Sequence, residues 1–152
     1  MTKDLLAQAQ ALLTLVLRRD GATLSDLGAA LGRFRAQVAA LPCGGPPDAD
    51  PGRGDRGELA RQVAQAWPEL GLYDLGSGRP LLAGSCQSVP DELGDAHDDL
   101  TGFALELHSA LSLAPLDRAA ALARLRWSLD AHWDDLITGL LRHLEHLKAA
   151  GP

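Results

Sequence analysis

Five segments of the sequence repeat apolar residues every three or four positions, the spacing of one face of an α-helix. Leu and Ala supply most of these apolar residues, and both favour helix over strand. We therefore predict an all-α fold, a single-domain bundle of about five helices over residues 1–152 with the longest helix at the C-terminus. The predicted helices cover approximately residues 4–18, 24–40, 58–66, 88–111 and 115–148.

The ends of these segments have residue types that are common at helix boundaries. Asp20-Gly21 ends the first helix, and Thr23 or Ser25 caps the second. Ser88-Val89-Pro90-Asp91 predicts the start of the fourth helix, because a serine cap, a proline in the first turn and a following acid often occur together. Leu93 then opens the apolar stripe of that helix.

Two stretches between the predicted helices read as non-helical. Residues 42–57 hold five glycines and four prolines, so we predict a flexible loop. Gly52-Arg53-Gly54-Asp55-Arg56-Gly57 fits the dinucleotide pattern G-x-G-x-x-G, but no strand precedes it, and we interpret it as a hinge. Residues 70–84 contain two short apolar runs around glycines, which predict either a short β-hairpin or an irregular loop.

The charge balance restricts the classes of partner. The chain carries 14 basic and 20 acidic residues, for a net charge of −6. A nucleic-acid-binding protein normally presents a basic stripe, because neutralising phosphates supplies most of its affinity. The arginines of the fifth helix are interspersed with acids instead, so we expect no nucleic-acid partner.

No apolar run approaches the ~20 residues that a membrane-spanning helix needs. The apolar stretch ALLTLVL resembles the core of a signal peptide, but Asp4 precedes it, and Arg18-Arg19-Asp20 follows where small cleavage-site residues belong. We therefore expect no membrane association and a cytoplasmic location. Cys43 and Cys86 lie in predicted loops and are expected to be free thiols, with a reactive thiol at Cys86 as an alternative.

Histidines supply the one constellation with metal-ligand chemistry. If the last two helices fold back on each other near residues 113–116, His97 comes level with His132. Asp99 and Asp135 are the acids that would complete this candidate metal site. Neither a Glu-x-x-His nor a His-Glu-x-x-His motif occurs, and a histidine beside a leucine stripe is commonly structural.

The stretch Leu129-Asp130-Ala131-His132-Trp133-Asp134-Asp135-Leu136 carries a resemblance to a known family. It is similar to the final helix, Phe-Glu-x-His-Trp-Gly-x-His, of small all-helical bacterial proteins classified as a domain of unknown function. Arg142 matches as well, and the family's penultimate helix resembles Leu93–Leu100, with its acid at Asp99. The family's second histidine is Leu136 here. The resemblance spans about residues 24–148 and implies an all-helical fold without supplying an activity.

These observations predict a function only in outline. No Ser-His-Asp or Cys-His arrangement is recognisable, so we assign no catalytic or cofactor-binding residue and expect no cofactor. The leading hypothesis is a non-enzymatic interaction or scaffold protein that binds a protein partner or a second copy of itself through a helical groove. The alternative is a metal-dependent bundle enzyme that uses His97, His132 and a nearby aspartate.

Overall fold

The computed structural model describes residues 4–48, 51–52, 54–81 and 92–149. Helices account for most of this length, and a two-stranded ribbon accompanies them, so the prediction of an all-α bundle with a long C-terminal helix is confirmed. The elements in chain order are α1 (Leu5–Arg18), α2 (Leu24–Ala39), α3 (Arg56–Ala66), β1 (Leu72–Asp74), β2 (Leu93–Asp95), α4 (Ala96–Leu113), α5 (Arg118–Ser128), a π-helical turn (Leu129–Trp133) and α6 (Asp134–Ala149).

The first two helices begin and end close to the predicted residues. Thr23 is the N-cap of α2: its hydroxyl accepts from the Asp26 backbone N–H at 3.1 Å, while Asp26 accepts from the Thr23 N–H at 2.9 Å. This reciprocal pair satisfies two N–H groups that a helix start leaves free. Thr23 rather than Ser25 is therefore the cap.

The glycine-rich stretch before α3 ends as a helix cap. Asp55 accepts a hydrogen bond from the Glu58 N–H at 3.1 Å, and α3 begins at Arg56, two residues before the predicted start. The last residues of the predicted loop 42–57 therefore belong to the helix. Upstream, the Gly52 N–H donates to the Ser112 hydroxyl at 2.8 Å, which joins this stretch to α4.

The short β element near residues 70–84 is confirmed, but its main partner lies further along the chain. β1 pairs antiparallel with β2, with Tyr73 opposite Gly94, and an isolated bridge joins Tyr73 to Pro80. The prediction that Leu93 lies on the fourth helix is wrong. Asp95 caps α4 by accepting from the N–H groups of the next turn, so the helix begins only at Ala96. The predicted cap at residues 88–91 lies outside the described residues.

We define the C-terminal helix as α5, the π-helical turn and α6. The sequence predicted one uniform helix over residues 115–148, but the structure interrupts it with the π-helical turn. The Asp134 N–H donates to the carbonyl of Leu129, five residues back rather than four. One extra residue therefore enters this turn and rotates the buried face of α6. Trp133 and Ile137 are fully buried, whereas Leu136, which was predicted to lie on the apolar stripe, is only half-buried.

Aromatic side chains fill the centre of the bundle. Trp133 stacks on Phe34 of α2 at a ring-centre distance of 6.1 Å and meets Phe103 of α4 edge-on at 5.1 Å. Its indole N–H donates to the buried hydroxyl of Ser128 at 2.9 Å. The C-terminal helix is thereby packed against both α2 and α4. Among the described helices, none has the length and apolar character required to cross a lipid bilayer.

Candidate functional site

Two of the predicted metal ligands face inward from the first turn of α4, and each already has a protein partner. His97 donates from Nε2 to the carbonyl of Trp67 at 2.8 Å, since a carbonyl oxygen can only accept. Asp99 Oδ2 accepts from the Tyr73 hydroxyl at 2.6 Å. Both side chains therefore connect α4 to the segment that follows α3.

The other two predicted ligands are exposed on the C-terminal helix. His132 lies against the edge of Trp127 at a ring-centre distance of 5.0 Å. Asp135 lines an open cleft of about 360 Å³ together with Glu92, Thr138 and Arg142. The π-helical turn buries Trp133 rather than its neighbour His132, so the histidine predicted for the helix stripe points outward.

The four candidates thus contact different neighbours. In the part of the chain that the structure describes, no three His, Cys, Asp or Glu side chains are grouped closely enough to hold a metal ion. Cys43 is exposed, and its sulfur accepts from the Arg126 guanidinium at 3.0 Å. Cys86 lies outside the described residues.

The residues with the most unusual chemistry form a buried cluster, Tyr73, Asp99 and His143. Tyr73 is fully buried, and its ring stacks on the His143 ring with centres 4.5 Å apart and planes 12° from parallel. The opposite face of the tyrosine ring covers Gly94, where an added Cβ would lie only 2.4 Å from the ring. Any side chain at position 94 would therefore displace Tyr73.

Burial dominates the electrostatics of this cluster. It raises the pKa of Asp99 to about 6, assisted by the negative charges of Asp98 and Asp95 and opposed by the hydrogen bond from Tyr73. Burial and the adjoining Asp99 also hold the pKa of the Tyr73 hydroxyl well above its usual value. At neutral pH the tyrosine is therefore the proton donor and Asp99 the acceptor.

His143 completes the cluster from α6 and is only 1% exposed. Its Nδ1 lies 2.9 Å from the carbonyl oxygen of Gly78, so Nδ1 carries the proton and donates. Nε2 is buried and has no hydrogen-bond partner among the described residues. Burial lowers the pKa of His143, partly offset by the bond to Gly78 and reinforced by the nearby His146.

Sequence reasoning found only part of this cluster. Asp99 was a candidate, but as a metal ligand, and Tyr73 was not a candidate. His143 was not among the candidate ligands, and its burial on α6 results from packing against Tyr73 and Gly78. No spacing rule in the sequence links Tyr73, Asp99 and His143, because they come from three separate elements.

A second feature is a furrow along one side of the α1–α2 pair. It consists of two depressions, of about 250 and 340 Å³, that follow one another along the same two helix faces. Its lining residues recur at helical spacing on both helices, with Arg118 and Leu122 closing one end. We call this the α1–α2 furrow; it is lined by Asp4, Leu5, Gln8, Ala11, Leu12, Leu15, Ala30, Arg33, Phe34, Gln37, Ala40, Leu41, Arg118 and Leu122.

The floor of the furrow is apolar and its rim is polar. Leu12 and Phe34 are buried at the floor, and Arg33 is exposed on the rim without an ion-pair partner among the described residues. Arg118 pairs with Asp4 at 2.8 Å across one end. The arrangement of an apolar floor within a polar rim is typical of surfaces that bind another protein.

Comparisons with known proteins bear on the fold alone. No family model matches the sequence, and no match to a curated protein was found. The chain is similar in structure to protein BF1032 from Bacteroides fragilis, a Northeast Structural Genomics Consortium target whose crystal structure superposes with a TM-score of 0.68. The two chains are 13% identical, and the superposition covers 95% of this chain and 89% of that chain. At this identity the likeness establishes a shared fold.

Proposed function

We propose that this protein is a non-enzymatic interaction module that binds an amphipathic helix of another protein in the α1–α2 furrow. The observation that carries the proposal is that the two depressions lie one after the other along α1 and α2. The lining of the furrow on α1 runs from Asp4 to Leu15, which at 1.5 Å per residue is roughly 16 Å, or about three helical turns. That length suits a short helix with an apolar face, a common mode of recognition.

The dimensions and chemistry of the furrow support a helix rather than a small molecule. The two depressions together are long and open, whereas ligand pockets enclose most of a compact molecule. Leu12 and Phe34 at the floor would receive apolar side chains spaced one helical turn apart.

The rim charges indicate which kind of helix fits. Arg33 is exposed without an ion-pair partner among the described residues, while Asp4 is neutralised by Arg118. The net positive charge of the rim favours a partner helix with acidic residues beside its apolar face. Electrostatic complementarity of this kind raises the rate of association more than the affinity.

Site-specific crosslinking tests the proposal. A photoreactive residue at Ala11, exposed within the furrow, is compared with one at Ala64, exposed on α3 outside the furrow. We expect a covalent protein adduct in cells from position 11 and none from position 64. Equal adducts from both positions would contradict the furrow as the binding site, and an adduct of twice the chain's mass would make the occupant a second copy.

Once the partner is purified, its affinity is measured by calorimetry against furrow variants. Ala11→Glu places a charge over the apolar floor, and we expect at least about tenfold weaker binding, or ~1.4 kcal/mol. Arg33→Glu reverses the rim charge and should slow association, most visibly at low salt. Ala64→Glu is the matched control and should bind as the wild type does. Unchanged affinity in both furrow variants would refute the proposal.

A further inference from the structure

A few hydrogen bonds and packing contacts hold the segment Leu72–Pro80 against α6. His143 donates from Nδ1 to the carbonyl of Gly78 at 2.9 Å, and Arg142 donates to the carbonyl of Leu75 at 2.6 Å. The backbone of Gly78 also lies directly on α6, since an added Cβ there would be 2.5 Å from the Arg142 carbonyl carbon and oxygen. The Tyr73 ring also stacks on His143, and the side chains of Leu75 and Tyr73 lie over Gly139.

Among the described side chains that make these contacts, His143 is the one titratable group that is buried and has a ring nitrogen without a hydrogen-bond partner. Because Nδ1 is committed as a donor to Gly78, the neutral ring keeps its lone pair on Nε2. That atom is enclosed and has no partner among the described residues. Protonating it would place an N–H group and a positive charge where no described acceptor lies, and such a group is costly to bury.

We propose that His143 is a pH switch that holds the segment Leu72–Pro80 against α6. Protonation of Nε2 releases this segment while the helical bundle stays folded. Release uncovers the surface of α6 around Gly139, which the side chains of Leu75 and Tyr73 cover in the closed form. The inference does not depend on the α1–α2 furrow, because none of these residues line it.

The charged neighbours on α6 itself disfavour the imidazolium. Arg142 is the adjacent residue, and its guanidinium is held at the carbonyl of Leu75. His146 lies one helical turn further and lowers the pKa of His143 when it is charged. Neither side chain can accept a hydrogen bond from a protonated Nε2 while it is itself charged.

The other elements packed against His143 offer little that could stabilise a protonated Nε2. β1 presents the face of the Tyr73 ring, and Asp99 of α4 is reached only through the tyrosine hydroxyl, which already occupies Oδ2. Asp74, at the end of β1, accepts from the Gly76 N–H and the Ser77 hydroxyl within its own turn. α2 contributes Gly28, which lies against Leu144, the residue after His143. Gly28 has no side chain that could accept a hydrogen bond.

The direction of the pH effect follows from linkage. An unfolded or released histidine titrates near its ordinary pKa of about 6.5, whereas burial lowers the pKa of His143 in the closed form. The released form therefore binds more protons as the pH falls below about 6.5. Closure is fully favoured above that pH and weakens by up to about tenfold for each unit below it, until the closed-form pKa is reached.

Hydrogen exchange in the full-length chain, measured by NMR between about pH 5 and 7.5, tests this inference. The reporters are the backbone amides of Asp74 and Gly78, which bond within the segment, and amides in the middle of α2 serve as the reference. After correction for intrinsic exchange, we expect protection of the segment to fall several-fold at the acidic end while α2 changes little. Nitrogen-15 shifts of the imidazole should show the proton on Nδ1 at neutral pH.

Three variants make the result decisive. His143→Phe keeps an aromatic ring on Tyr73 but does not titrate, and His143→Gln keeps an N–H for Gly78 should the first variant fail to fold. In either variant, the loss of segment protection at the acidic end of the range should disappear. His146→Gln is the matched control on the same helix and should retain the dependence. The inference is overturned if the wild-type segment shows no pH dependence, if α2 loses protection in step with it, or if the His143 variants keep the wild-type slope.

Discussion

The hydroxyl of Tyr73 donates a 2.6 Å hydrogen bond to Asp99, and this contact joins β1 to the first turn of α4. Tyr73 is the only tyrosine of the chain, and its ring is enclosed between Gly94 and His143. The ribbon and two helices therefore meet at a single aromatic side chain. Four predictions follow from this and neighbouring contacts.

Replacing Tyr73 by Phe should lower the free energy of unfolding by roughly 1–3 kcal/mol. The ring and its stack on His143 remain, so the change removes only the hydroxyl from which Asp99 accepts a hydrogen bond. The same loss should raise the pKa of Asp99 further, because the Tyr73 hydrogen bond lowers it. Urea unfolding and carboxyl carbon NMR measure the two effects. Unchanged stability together with an unchanged pKa would show that the contact contributes nothing.

Replacing Asp99 by Asn should change how stability depends on pH. The pKa of Asp99 is raised from 3.8 to about 6 in the folded protein, so the native state binds the extra proton in that window. Its contribution is fully present below the unfolded value and is lost as the pH rises through about 6. Asp99→Asn should therefore gain stability relative to the wild type between about pH 4 and 7, by on the order of 1 kcal/mol after allowance for solvent screening.

The control for that experiment is Asp135→Asn, which alters an exposed aspartate on α6. It removes a carboxylate from an exposed position of α6 and gives the reference pH profile against which Asp99→Asn is compared. A parallel profile for Asp99→Asn would contradict a buried, proton-binding carboxylate at that position. Both series are read from denaturant unfolding at each pH.

Two helix glycines, Gly139 in a crowded site and Gly32 in an uncrowded one, should respond in opposite directions to alanine. A Cβ at Gly139 would lie 2.8 Å from Leu75 Cδ1 and 2.9 Å from the Tyr73 hydroxyl oxygen. Because that ring is held on both faces, we expect Gly139→Ala to lower thermal stability despite alanine's better helix propensity. Gly32→Ala, in open space on α2, should raise stability by roughly 0.5–1 kcal/mol. Stabilisation by both changes would show that the Tyr73 side chain moves aside at little cost in free energy.

Metal content separates the interaction module from the alternative of a metal-dependent enzyme. The untagged protein, purified without chelators, should contain much less than one metal ion per chain, because His97 and Asp99 each bond to protein groups. His132→Ala should leave both the metal content and the fold unchanged, since this side chain is exposed. Elemental analysis beside a circular dichroism spectrum measures both. One ion per chain that is lost in His132→Ala would instead contradict this expectation and favour the metal-dependent alternative.

Local residue patterns determined most of the helical architecture. The apolar spacing placed α1, α2 and α3 within about two residues of their observed bounds, and the residue type at position 23 marked the cap of α2. These features depend on neighbours three or four positions apart, which a sequence displays directly. The exposed leucine at position 93 followed the same spacing and was misplaced, because Gly94 and Asp95 favour a strand end and a cap once Tyr73 covers them.

Only the tertiary structure decided which side chains of the candidate sites are buried and which of them are in contact. The π-helical turn at Leu129–Trp133 adds one residue to the helix, so that Trp133 is buried and its neighbour His132 is exposed, while His143 is buried where α6 packs against Tyr73. The partners of Tyr73 are 26 and 70 positions away along the chain. Contacts at such separations arise from how helices pack against each other, so the sequence by itself determined which residues are helical, whereas packing determined which of them meet.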